Sequence, residues 1–273
     1  MHTFCNPRGR AWTLLLGCAA TVHAADWSDS AIGLKLGDRF GEPGISQPVE
    51  KAIIEYTYVS GDKLGKNLLV GQLLKSDSAD PANSGGGGAQ ELYALYRRTL
   101  SLSGLSGQPV AFGPVKDVSL AGRYDVGAKN SPFAPSPRKL YGGVAFDLAV
   151  PKGYLELGLY AYHEDNHNGM VGKAVDFDTT YCVDAAWLIP LNLGWQAAWK
   201  GIFSQIGKKG ADGFGTPTRP ETLLHTELLF DLSHSGAKAG LAYEYWRNKF
   251  GSDPRVVPGS KANTLMLVAE QHF

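Results

Sequence analysis

From residue 28 onward apolar and polar residues alternate at nearly every second position, and no stretch keeps the i, i+3, i+4 stripe of an amphipathic helix. A period of two is the signature of strands with two unlike faces. Twelve such runs can be marked off: 28–37, 50–59, 66–75, 90–102, 116–127, 139–150, 154–165, 175–189, 193–206, 221–232, 238–250 and 263–273. In the fifth, Val118, Leu120, Gly122, Tyr124 and Val126 oppose Asp117, Ser119, Ala121, Arg123 and Asp125. In the seventh, Leu155, Leu157 and Leu159 oppose Glu156, Gly158, Tyr160, Tyr162 and Glu164. The eighth places Phe177 with Tyr181, Val183 and Trp187 on its apolar face. Run 90–102 is the weakest, because the adjacent Arg97 and Arg98 cannot both point to one side.

The links between runs carry a second pattern. Those at 60–65, 151–153, 190–192 and 233–237 are short, whereas 38–49, 76–89, 128–138, 166–174, 207–220 and 251–262 are long. Only 103–114 is long on the short side. Alternating short turns and long loops, an even strand number and runs of about 11 residues describe an all-β, antiparallel transmembrane barrel. Its turns face the periplasm and its longer loops the exterior, and the chain ends on its apolar face at Phe273. A water-soluble all-β fold is the alternative, and it gives no reason for loop length to alternate.

Composition narrows the function. The 273 residues carry 26 Lys and Arg against 26 Asp and Glu, without the basic excess that nucleic acid demands. Mean hydropathy is −0.15, and no 18-residue apolar run offers a spanning helix. Residues 1–24 read as a secretory signal peptide: Arg8 and Arg10, an apolar stretch, then Val22-His23-Ala24 before Ala25. Cleavage after Ala24 is expected, with a lipidated Cys18 in Leu15-Leu16-Gly17-Cys18 as the competing reading. Residues 25–273 would then form one barrel in the bacterial outer membrane, with Cys182 as their single cysteine and no internal disulfide.

The two faces imply different surroundings. One is rich in Leu, Val and Ala, with Tyr and Trp near strand ends, as a lipid belt requires. The other carries Arg123, Asp125, Asp147, Glu156, Glu164, Asp184, Lys200, Glu227, Asp231, Glu244 and Glu270 among Tyr141, Tyr160, Tyr162 and Trp246. Charges facing inward must pair or stay hydrated. Aromatic rings beside hydrogen-bonding charges suit a flat, polar, uncharged solute, while a salt-bridge network that fills the barrel is the plainer alternative.

Enzymatic readings are weak. His163-Glu164-Asp165-Asn166-His167 matches H-E-x-x-H, but zinc binding by that motif needs a helix. On a strand the two histidines would stand about 13 Å apart. His225 and His272 lack a serine in a recognisable nucleophile setting. The Gly85–Gly88 run lacks the Lys-Ser/Thr of a phosphate loop and is expected in a mobile outer loop. No cofactor or metal is expected, and the chain is read as a non-enzyme.

Several blocks resemble the nucleoside-specific outer-membrane channel family, the Tsx channels and their OmpK-like branch. They are 27–44 (WSDSAIGLKLGDRFGEPG), 74–77 (LKSD), 88–98 (GAQELYALYRR), 112–117 (FGPVKD), 125–135 (DVGAKNSPFAP), 167–172 (HNGMVG), 221–224 (ETLL) and 243–254 (YEYWRNKFGSDP). They run in order along nearly the whole mature chain. The resemblance implies a monomeric 12-stranded barrel that passes nucleosides and deoxynucleosides passively. It also implies solute contacts near the first outer loop, where Arg39-Phe40-Gly41 matches the family's Arg-Phe-Gly step, so Phe40 and Gly41 join the candidates. With them stand the inward Arg123, Asp125, Tyr141, Tyr160, Glu164, Lys200, Glu227, Asp231, Glu244 and Trp246. The loops depart most from Tsx, which leaves a general small-solute pore, a phage receptor or a structural barrel as alternatives.

Overall fold

The computed structural model describes residues 25–273 except 84, 86, 132–134, 169–171 and 233–234, so the expected signal segment 1–24 lies outside the described residues. The strands are β1 (Trp27–Phe40), β2 (Val49–Asp62), β3 (Gly65–Ser76), β4 (Gln90–Ser101), β5 (Val115–Lys129), β6 (Arg138–Leu148) and β7 (Tyr154–Asn168). They continue with β8 (Lys173–Asp176), β9 (Thr180–Asn192), β10 (Gln196–Ile206), β11 (Glu221–Asp231), β12 (Ala237–Arg247) and β13 (Lys261–His272). A short helix, α1 (Leu102–Ser106), separates β4 from β5.

Each strand pairs antiparallel with its neighbour, β1 pairs with β13, and β6 with β7, so the sheet closes on itself. Twelve strands make the ring, and β8 only extends the outer end of β7 before β9 takes over the wall. Closure leaves the twelve-stranded ring without an unpaired edge, which is what lets a sheet stand in lipid. Strands of 11 to 15 residues tilted by about 45° reach across a hydrocarbon layer. Among the described residues no helix is long and apolar enough to cross a membrane.

Lipid explains the outer face. Ile32, Leu34, Leu36, Ile54, Leu73, Leu92, Leu120, Leu140, Leu159, Leu241, Leu265 and Leu267 are all exposed. An apolar belt of that extent in water would be an aggregation surface, whereas acyl chains solvate it. Trp27, Trp195 and Phe273 mark the rim on the short-turn side.

Two irregularities have local causes. Arg97 points inward to the Glu156 carboxylate, while Arg98 points outward and reaches Asp62 at the β2–β3 turn, 2.9 Å away. The long turn 102–114 is shaped by α1: the Ser101 side-chain oxygen accepts from the Gly104 N–H, and Gly107 closes the helix in the left-handed region, φ 68°. The expected run 175–189 divides instead. Its first two residues end β8, the chain bends at 177–179, and β9 starts at Thr180. Phe177 is buried beneath Lys209, whose Nζ is 4.4 Å from the ring centre, so it does not join the lipid belt.

The barrel interior is not uniformly polar. Phe40, Val49, Ile53, Leu229, Ala242, Met266 and Val268 pack into one inward apolar cluster. Tyr141, Tyr160, Tyr162, Ala121, Ala145, Cys182 and Ile206 form a second. Between them they narrow the bore and supply the cohesion that an intramolecular disulfide would otherwise add.

Candidate functional site

Exposure varies along the bore. Towards the short-turn side Lys66 and Lys200 are 34% and 27% exposed and the inward Ile202 40%, while Glu156, Glu227 and Glu270 beside them are buried. Tyr154 and Leu188, paired across β7 and β9, are exposed there too. On the long-loop side the inward charges are sealed, with Lys51 and Lys209 only 2% and 1% exposed. Loop side chains form a constriction at the outer mouth, and the half of the bore towards the short turns is a vestibule of mixed exposure.

The constriction is built by loops folding into it. Loop 41–48 carries Glu42, which is buried and holds Lys51 of β2 at 2.7 Å, Lys129 of β5 at 2.8 Å and Lys249 of loop 248–260 at 2.9 Å. Lys51 also meets Glu91 at 3.2 Å, and Lys129 meets Asp80 of loop 77–89 at 2.7 Å. Three lysines and three carboxylates thus tie three loops together across the mouth. Burial alone would raise the Glu42 pKa, but Lys249, Lys51 and Lys129 outweigh it and hold the carboxyl well below its ordinary range. Loop 77–89 is packed in part rather than free: a Cβ on Gly88 would lie 1.8 Å from the Ser76 carbonyl oxygen.

Next to this knot, Lys209 of loop 207–220 reaches into the bore to the Glu164 carboxylate, which also accepts from the Tyr162 hydroxyl and the Asn166 amide. Tyr141 packs edge-on to Tyr162 and Tyr160, with ring centres 4.8 and 5.9 Å apart. Arg123 holds Asp125 at 2.7 Å and lies 4.6 Å from the Tyr141 ring centre, and Asp125 accepts from Tyr93 as well. Towards the vestibule Lys35 bridges Glu55 and Glu227, and Lys200 bridges Glu227 and Glu270. His225 stands between Glu227 at 2.9 Å and Glu244 at 3.4 Å.

Of the residues singled out in the sequence, Arg123, Asp125, Tyr141, Tyr160, Glu164, Lys200, Glu227, Glu244 and Trp246 face the bore. Asp231 lies at the vestibule rim beside Lys238, 3.6 Å away. Phe40 is buried in the first apolar cluster, with the Lys51 ammonium 5.8 Å from its ring centre. Gly41 is fixed by close approach: an added Cβ would fall 2.5 Å from the Lys261 carbonyl oxygen and 2.7 Å from that of Gly259. Within the Asp125–Asn130 match, Asn130 caps the start of β4 by accepting from the Gln90 N–H at 2.6 Å. Glu42, Lys209 and Lys249 escaped the sequence reading, since loop charges follow no periodicity that would send them inward; Lys51 in β2 and Lys129 at the end of β5 were not singled out either, although they lie on strands.

The two histidines of H-E-x-x-H belong to strand β7, not a helix. His163 pairs outside the barrel with Asp176 at 3.3 Å and Asp165 at 3.8 Å. His272 lies between Asp29 and Glu270, each at 2.8 Å.

The fold is that of outer-membrane β-barrels. The translocator domain of the autotransporter NalP from Neisseria meningitidis superposes with a TM-score of 0.50 at 11% identity, over 92% of this chain and 90% of that one. The NanC porin gives 0.49 at 9% identity over 88% and 98% of the two chains. The KdgM porin gives 0.43 at 7% identity over 89% and 99%. No family model matches the chain, and no curated protein matches it in sequence.

Proposed function

We propose that this chain is a passive channel of the bacterial outer membrane for small polar solutes, nucleosides and deoxynucleosides foremost. The observation that carries the reading is the closed barrel with a charged, partly exposed inner half leading to a loop-built constriction lined by ion pairs and tyrosines. A barrel meant only to be filled gains little from so many inward charges, since buried ion pairs often stabilise no more than apolar packing of equal volume. They do provide hydrogen-bonding groups that a passing solute can borrow and return, and weak, shared contacts are what a pore needs. Nucleosides are the solute class that the family resemblance brings, and the constriction's rings and charges suit a base and its sugar.

A second reading, a sealed structural barrel, draws on the buried knot around Glu42. Planar-bilayer recording separates the two. A channel gives stepwise conductance that uridine or adenosine reduces and glucose does not. Conductance reduced equally by all three keeps the pore and removes nucleoside selectivity. Silence at every voltage leaves the sealed barrel.

A further inference from the structure

The outer wall carries a polar feature of its own, on the lipid side of the barrel rather than in the bore. Alternation along β11 sends Glu221, His225 and Glu227 inward, and therefore Thr222, Leu224 and Thr226 outward. The ladder sets Thr222 beside Arg247 of β12, and Arg247 beside Lys261 of β13, so these residues share the outer face. Gln205 of β10 lies in the same row and accepts from the Thr222 hydroxyl at 2.7 Å. A groove of about 420 Å³ opens over this row, and loops 207–220 and 248–260 wall it with Arg219, Asp253 and Arg255. The Arg219 backbone N–H donates to the Gly251 carbonyl at 2.8 Å, and the Asn248 amide to that of Pro220 at 2.6 Å, which ties the two loops together. Asp253 accepts from Arg219 Nε at 3.1 Å and from Arg255 through Nη2 at 2.6 Å and Nε at 3.1 Å. It is the only carboxylate lining the groove, and Arg247 forms no ion pair among the described residues. Three guanidiniums therefore surround one carboxylate, and Lys261 adds a further positive charge at the end of the row.

The depth of the groove follows from the rows below it. Leu224, Tyr245 and Asn263 form the next outward row, then come Tyr243 with the exposed Leu265, and then Leu241 with Leu267. Tyrosines directly above leucines mark the edge of the hydrocarbon. At about 3.4 Å per residue and about 45° of tilt, Arg247 stands about 5 Å beyond Tyr245 along the membrane normal, level with lipid headgroups. We propose that this groove binds the phosphate monoester of an outer-leaflet lipid, with Arg247, Arg255 and Arg219 as its donors. The site lies on the lipid face, so its occupancy does not depend on which solute crosses the bore. A guanidinium presents paired N–H donors in a plane that matches two phosphate oxygens. A phosphate monoester brings nearly two negative charges and three acceptor oxygens, enough to be shared between Arg247 on the strand and the Arg219–Arg255 pair on the loops. The acyl chains of the same molecule then lie along Leu265 and Leu267, so one lipid meets both parts of the wall.

Native mass spectrometry of the folded barrel in detergent tests the site, with phosphatidic acid, diacylglycerol of the same chains and inorganic phosphate as probes. The wild type should be half-saturated by phosphatidic acid at a concentration about tenfold below that for diacylglycerol. Arg247→Gln should raise the phosphatidic acid value about tenfold, the effect of losing one charge-assisted contact, and Arg255→Gln should do the same. Lys173→Gln, which removes an exposed charge from the β8 extension, should leave it unchanged. All three side chains are exposed, so the variants should fold, and heat-modified mobility on semi-native gels verifies it. Binding should persist in EDTA, because the guanidiniums meet the phosphate directly; loss on chelation would overturn direct contact. Inorganic phosphate, which lacks the chains, should displace phosphatidic acid only at large excess. Displacement by an equimolar amount would make this a site for free phosphate and overturn the lipid. Equal retention of the two lipids, or phosphatidic acid binding that the arginine substitutions leave unaltered, would overturn the site altogether. None of these readouts needs ion conduction, so a barrel that fails to conduct refutes the channel without touching the groove.

Discussion

Replacing Glu42 by Gln tests the outer constriction most sharply. The carboxylate meets three ammonium groups at 2.7–2.9 Å. Each contact is worth about 6 kcal/mol of Coulomb attraction at an effective dielectric of about 20. Desolvation offsets most of this, and removing one partner of such a buried set costs about 3–5 kcal/mol. Lys51 keeps Glu91 and Lys129 keeps Asp80, so the loss falls on Lys249, which has no other carboxylate among its ion pairs. Loop 248–260 should then leave the mouth, with the local closed-to-open ratio falling roughly 10²–10⁴-fold. The mouth changes from three charges of each sign to one net positive charge. Bilayer recording should show higher single-channel conductance for Glu42→Gln and a reversal potential shifted towards anions in a salt gradient. The pH dependence follows from the depressed Glu42 pKa. A folded-state value below the unfolded one makes the stabilisation complete above the ordinary carboxylate pKa of about 4.3 and loses it only as pH falls through the lower value. Wild-type conductance should therefore hold steady down to about pH 5 and rise only in stronger acid. The variant should be open throughout. Equal conductance and selectivity in the two proteins would refute the role given to Glu42.

Other substitutions probe other parts of the barrel. Gly41→Ala should cost about 1–3 kcal/mol, because the new methyl meets backbone oxygens at 2.5 and 2.7 Å that cannot step aside; urea unfolding from micelles measures it. Leu267→Arg, on the lipid face of β13, should lower stability in bilayers by about 2–4 kcal/mol, read as a reduced folded fraction on semi-native gels. The Cys182 thiol, buried in the tyrosine cluster and 3.4 Å from the Ser204 hydroxyl, should resist maleimide until the barrel is unfolded. Rapid labelling of the folded protein, absent in Cys182→Ser, would contradict the packing described.

The wall was legible because lipid imposes a rule on every second residue. Ile32, Leu34 and Leu36 alternate with Lys35 for that reason, and all twelve ring strands overlap the runs read from the sequence. The rule lapses where the strand leaves lipid. Phe177 looks like a belt residue in the sequence, yet it follows the β8 extension and turns inward beneath Lys209. Inward charge was legible in part, but its pairing was not: nothing near Lys200 or Lys209 tells that one bridges Glu227 and Glu270 and the other reaches Glu164. The constriction was least legible of all. Glu42, Asp80, Lys209 and Lys249 belong to loops, and their convergence depends on how four long connections fold over one opening.

Solute flux into liposomes tests the central claim most directly. Proteoliposomes of the purified barrel should equilibrate radiolabelled uridine and thymidine much faster than labelled glucose, with no energy source and with faster entry for Glu42→Gln. Uptake no faster than in protein-free liposomes, from a barrel shown to be folded and inserted, would contradict a channel.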